Sequence, residues 1–153
     1  MDTSIEVITQ TRKKFLELME GLSLEQLNEI PTGFNNNIIW NLGHVIASLQ
    51  VICYKLAELP YRIDSKYIPK YQKGTKPESF IDEEEFDVLK RLAVSTIEDL
   101  VRDFKNGLFK KHITYETQFG VPLSYVEDSI IYMAMHEGLH LGYAMALKRV
   151  ITK

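Results

Sequence analysis

Four long stretches of this chain repeat apolar residues every three or four positions, a spacing that lines one face of a helix and does not suit a strand, whose period is two. The first carries Ile5, Ile8, Phe15 and Met19 behind N-cap candidates at Thr3 and Ser4, and stops near Gly21. Ser23 and Gln26 stand at capping-box spacing for a short turn, Leu24 to Glu29, which Pro31 and Gly33 close. The second stretch, Ile38 to Leu59, follows Asn35, Asn36 and Asn37 as N-cap candidates and ends at Pro60. The third starts near Ile81, where Asp82, Glu83, Glu84 and Glu85 suit the positive end of a helix dipole; Phe86, Leu89, Ala93, Ile97, Leu100 and Phe104 form its stripe and Asn106-Gly107 its stop. Ser124 and Glu127, again at capping-box spacing, open the fourth, which runs through Ile130, Met133, Leu141 and Leu147 to about Val150.

The pattern predicts an all-α chain, a four-helix bundle forming one domain over residues 1–153. Residues 60–80 hold three of the five prolines and no steady period, so they read as a long ordered connection. Residues 108–123 alternate loosely around Ile113, Tyr115 and Phe119, enough for a short extended piece and too little for a sheet core.

Charge narrows the function classes. A formal net charge of −3 gives no global attraction to nucleic acid or to an anionic membrane. The polar start Met1-Asp2-Thr3-Ser4 lacks the apolar run of a secretion signal, and no stretch approaches the roughly 18 apolar residues of a membrane span, so a cytoplasmic protein is expected. The single cysteine, Cys53, cannot form an intrachain disulfide and reads as a small packing residue. A rival for nucleic acid lies in the long connection, where Lys66, Lys70, Lys73 and Lys76 interleave with Tyr61, Tyr67 and Tyr71 as a single-strand binder would require; the acidic total argues against it.

The chemistry concentrates in His136-Glu137-Gly138-Leu139-His140. Two histidines one helical turn apart can grip one ion, and in a zinc peptidase the intervening glutamate is the general base. Such a peptidase takes a further ligand downstream and binds substrate along a strand, yet only 13 residues follow His140 and no strand is clearly predicted. His44 offers the alternative: it lies on the apolar face of the second helix, with Trp40 one turn before it and Ser48 one turn after, and completes a three-histidine site if the second and fourth helices are neighbours. His112, without spaced partners, reads as a surface residue.

These residues resemble the DinB/YfiT-like family of metalloenzymes, whose pattern is Trp-x-x-x-His on the second helix and His-x-x-x-His on the last. Here it reads Asn36-Asn37-Ile38-Ile39-Trp40-Asn41-Leu42-Gly43-His44 and His136-Glu137-Gly138-Leu139-His140-Leu141-Gly142-Tyr143. The similarity extends to Ile30-Pro31-Thr32-Gly33, to Lys73-Gly74-Thr75-Lys76-Pro77 and to the turn from Gly120 to Leu123. The resemblance implies an up-down-down-up bundle, a divalent metal such as nickel or zinc on His44, His136 and His140, and frequently a homodimer. Its relatives include transferases that add a low-molecular-weight thiol to an electrophile and metal-dependent hydrolases of small substrates. Both begin with metal activation of a thiol or water. A non-catalytic, metal-stabilised bundle acting through protein contacts is the reading from another class.

Around those ligands the sequence offers candidates of two kinds. Glu137, about 100° round the helix from His136, is either a base at the rim or an outward, solvated residue. Arg12 interrupts the apolar stripe of the first helix, to pair with an anionic substrate or to snorkel at the bundle edge. Trp40, Asn41 and Tyr143 lie near the ligands by spacing, where a substrate wall is expected.

Overall fold

The caps decide where the helices begin. The computed structural model describes every residue, Met1–Lys153. Helix α1 spans Asp2–Met19, α2 Leu24–Asn28, α3 Ile38–Leu49, α4 Tyr67–Tyr71, α5 Glu83–Lys105 and α6 Val126–Ile151. The Ser23–Gln26 capping box forms as expected, Asn37 accepts from the Trp40 amide, and Asp82 accepts from that of Glu85. Two cap assignments shift. Helix α1 starts ahead of Thr3 and Ser4 without a side-chain cap, and at α6 the working carboxylate is Asp128, which accepts from the amides of Ser124 and Tyr125.

The second long helix changes geometry part-way. Its α-helical turns stop at Leu49, and Gln50–Lys55 continue as a π-helix until Glu58, at φ 58°, turns the chain towards Pro60. Tyr54 on this segment donates its hydroxyl to Asp103 of α5, and the Gln50 side chain accepts from the Arg62 amide, so the widened turn is tied on both sides. The 60–80 connection, expected to be ordered but without a steady period, contains α4, whose Tyr67, Ile68 and Tyr71 are buried. The extended piece at 108–123 is a two-stranded antiparallel hairpin, β1 Tyr115–Glu116 with β2 Pro122–Leu123.

Helices α1 and α3 each pack against both α5 and α6, so the four long helices close around a common interior. That interior has two apolar clusters. One gathers Phe15, Leu42, Ile46, Leu89, Ala144 and Leu147; the other gathers Ile8, Leu49, Ile97, Ile130 and Met133. Each of these leucine, isoleucine, phenylalanine and methionine side chains contributes about 1.5–3 kcal/mol when fully removed from water. No helix is long and apolar enough to cross a membrane.

Candidate metal centre

Packing of α3 against α6 brings His44 to His136 and His140. Ring centroids stand 5.2 Å (His44–His136), 4.4 Å (His44–His140) and 4.7 Å (His136–His140) apart, and one ligand nitrogen from each ring lies within 4.8 Å of the others. A peptidase arrangement would need a different third ligand; the one supplied is His44, from upstream.

Two of the rings are aimed by bonds through Nδ1. His44 Nδ1 is 2.7 Å from the Tyr71 carbonyl oxygen, so it carries the proton and donates it, leaving Nε2 as the acceptor nitrogen, with the Ser48 hydroxyl 3.3 Å away as its donor. His140 Nδ1 donates to Asn41 Oδ1 at 2.7 Å; the orientation of that amide is set by its Nδ2, which donates to the Asn37 carbonyl and Asn36 Oδ1. Such bonds commonly fix the tautomer of ligating histidines. His136 Nε2 is buried with no hydrogen-bond partner, and an ion shared with the other two rings would satisfy it. Burial holds all three imidazoles below their usual pKa, His136 at about 4 and His140 at about 3, where the neighbouring histidines add to the effect. Near pH 7 they are neutral and their lone pairs are available, the state a divalent metal requires.

The carbonyl that aims His44 depends on a glycine. A Cβ on Gly43 would stand 2.4 Å from the Tyr71 ring, so only glycine lets that ring lie against α3. The Tyr71 hydroxyl is anchored by Glu85, which also takes the ammonium of Lys70. Tyr67 and Tyr71 are both buried and packed into the fold.

Glu137 is placed differently from both expectations. It is fully buried and bonded to Arg12, which is itself 2% exposed: Nε donates to Oε2 at 2.5 Å and Nη2 to Oε1 at 2.8 Å. The remaining guanidinium protons go to the Val45 and Ala93 carbonyls and the Thr96 hydroxyl. Arg12 therefore neither contacts the cavity nor snorkels; it joins all four long helices at the junction between the two apolar clusters. Burial pushes the Glu137 carboxyl up, and the guanidinium offsets part of that.

A cavity of about 740 Å3 opens from the imidazoles. Trp40 lines it and stacks on His44, centroids 4.8 Å apart and planes 14° apart. Tyr132 lies beside His136 in similar fashion, and Ser48, Val51, Ile52, Tyr115, Lys73 and Lys76 complete much of the wall. Asn41 and Tyr143 do not line it: Asn41 acts on His140, and Tyr143 packs edge-on against Phe34. His112 is half-buried and bonded to Ser129 on α6, not a free surface residue.

A family model described as the DinB superfamily matches residues 8–144. The chain belongs to the DinB superfamily. The fold of this DinB protein is also similar to the crystal structure of a conserved protein from Enterococcus faecalis, with a TM-score of 0.69 at 14% identity, covering 99% of this chain and 97% of the other. At that identity the likeness speaks for the fold alone. No curated protein matches the chain.

Sequence reasoning missed Tyr71 and Tyr132 as site residues. A backbone acceptor has no side-chain signature, but Gly43 beside a buried histidine was a usable sign that another segment comes close.

Proposed function

We propose that this DinB protein is a divalent-metal-dependent enzyme in which His44, His136 and His140 hold nickel or zinc, and that it transfers a small thiol to an electrophile. The observation that carries the reading is the ligand set itself: three neutral imidazoles, two aimed by hydrogen bonds and one with a buried nitrogen lacking a partner, at the end of a cavity. Bound there, a divalent ion lowers the pKa of a thiol or water and supplies a nucleophile near neutral pH. The chain's own contribution is positional: Tyr71 and Asn41 orient rings, Trp40 and Tyr132 wall the site, and Val51 and Ile52 give the cavity an apolar side. A volume of about 740 Å3 has room for a small thiol and a small electrophile, and hydrolysis of a small substrate is the alternative that the same metal chemistry allows.

The same reading takes residues 1–153 as one domain, with the long helices running up-down-down-up. The length of the connection between Lys55 and Glu83 supports that order, because it suffices to carry the chain back to the end of the bundle where α3 began. A homodimer is proposed through α6, where Ile131, Met135 and Leu139 form an exposed apolar row. The compartment is taken as the cytoplasm, and neither nucleic acid nor membrane is a proposed partner.

Elemental analysis of untagged protein tests the site. Wild type should carry up to one transition metal per chain, and His44→Ala should lose most of it; equal, negligible loading after incubation with nickel or zinc refutes the site. Turnover of metal-loaded protein with small thiols and an electrophilic acceptor tests the reaction. Hydrolysis without thiol would overturn the transferase reading in favour of a hydrolase, and metal uptake without turnover on any substrate would favour a non-catalytic bundle.

A further inference from the structure

Two cavities meet at Trp40. The larger holds the imidazoles; the smaller, about 340 Å3, lies against the 60–80 connection and is lined by Asn37, Lys66, Lys70 and Ser79 among others. Trp40, Thr75, Lys76 and Glu78 belong to both linings.

Charge in the larger cavity leans positive. Lys73 and Lys76 line it on either side of the Gly74-Thr75 turn, and neither ammonium is held by an ion pair or a hydrogen bond, whereas Lys70 is committed to Glu85. Glu78 is the only carboxylate in the lining. The three ligands are neutral imidazoles, so none of the charge of a divalent ion is cancelled by the protein groups that hold it. Trp40, which lines both cavities, is 6% exposed, and its indole N–H is closed to water and has no acceptor. A buried donor left unpaired is costly, and a ligand oxygen is the kind of group that relieves it.

We propose that the substrate entering this cavity carries a carboxylate, held by Lys73 and Lys76 with the Trp40 N–H as the buried donor, while its reactive end reaches the histidines. The inference rests on the metal-enzyme reading and adds the class of molecule. Lys73 and Lys76 are exposed and stay hydrated beside an uncharged substrate, which would still leave the indole N–H without an acceptor. Glu78 opposes an anion and keeps the rim from being uniformly positive.

The test uses the whole protein loaded with cobalt(II), whose visible spectrum reports thiolate binding. Mercaptocarboxylates with three to six methylenes, too long to close small chelate rings on the ion, are titrated against mercaptoalcohols of equal length. For at least one length the carboxylate should bind about tenfold more tightly, the worth of one charge-assisted hydrogen bond. Lys73→Gln/Lys76→Gln should erase that preference with cobalt still bound, Glu78→Gln should widen it, and added salt should shrink it. Cobalt-loaded protein that binds acid and alcohol alike at every length overturns the carboxylate inference alone. Protein that takes up no cobalt overturns the metal-enzyme reading and this inference with it.

Discussion

Replacing Glu137 by alanine separates a structural ion pair from a catalytic base. The substitution strands the Arg12 guanidinium, 2% exposed, beside two carbonyls and a hydroxyl but no counter-charge. Removing one partner of a buried pair costs about 3–5 kcal/mol, against a total stability of about 5–15 kcal/mol for a domain. For a chain of this length the fall in Tm is on the order of 6–20 °C, at about 2–4 °C per kcal/mol. Arg12→Met should cost a similar amount, since it leaves the carboxylate buried alone. The double variant Arg12→Met/Glu137→Leu removes both charges and fills the space with apolar atoms, so it should stand within about 1–2 kcal/mol of wild type. Urea denaturation followed by circular dichroism, with chelator present so that metal binding does not contribute, measures all four proteins. Glu137→Ala within 1 kcal/mol of wild type, or a double variant whose cost equals the two single costs added, would refute the pairing argument. A catalytic base would behave otherwise, with Glu137→Gln losing turnover at full stability.

Three more outcomes follow from the geometry. Gly43→Ala should displace the Tyr71 ring and with it the carbonyl that aims His44, lowering stability by about 1–3 kcal/mol and weakening metal binding, as calorimetric titration would register. Asn41→Leu removes the acceptor of His140 Nδ1 and should weaken metal affinity about 10–100-fold, with no change meaning that this bond does not orient the ligand. Metal-free protein should lose stability as pH falls below about 6.5: the unfolded chain then protonates its histidines, while His136 and His140 resist until about 4 and about 3. Those shifts amount to on the order of 3–5 kcal/mol per imidazole once pH reaches the folded values, and a flat stability profile from pH 7 to 4 would contradict them.

The helices were legible because their stripes are long and their stops are glycines and prolines. The ligand triad was legible for the same reason: a four-residue interval fixes two histidines on one face, and only His44 lay in a comparably apolar helix. Cap positions were off by a residue or more where several short polar residues competed, as at Thr3 and Ser4 and at Ser124 to Asp128. The π-helix at Gln50–Lys55 has no periodic signature, since it rests on tertiary bonds from Tyr54 and Gln50 to residues far along the chain. Arg12 and Glu137 were each singled out, but their partnership spans 125 positions and no local pattern connects them.

That partnership bears on the metal site as well as on stability. Glu137 directly follows His136, and Val45, whose carbonyl takes an Arg12 proton, directly follows His44. Sliding α6 by one turn against α3 would carry His136 and His140 away from His44, and it would also break the bidentate pair inside an apolar interior. The charges therefore penalise wrong registers more heavily than apolar side chains would, because misplaced apolar residues still find apolar neighbours. The double variant Arg12→Met/Glu137→Leu then has a second expected property: near-normal folding stability with metal affinity reduced by about tenfold, in the range seen when groups that orient ligands are removed. Cobalt titration of that variant decides the point. Wild-type affinity in a stable double variant would show that packing alone sets the register and that the ion pair contributes nothing to the site.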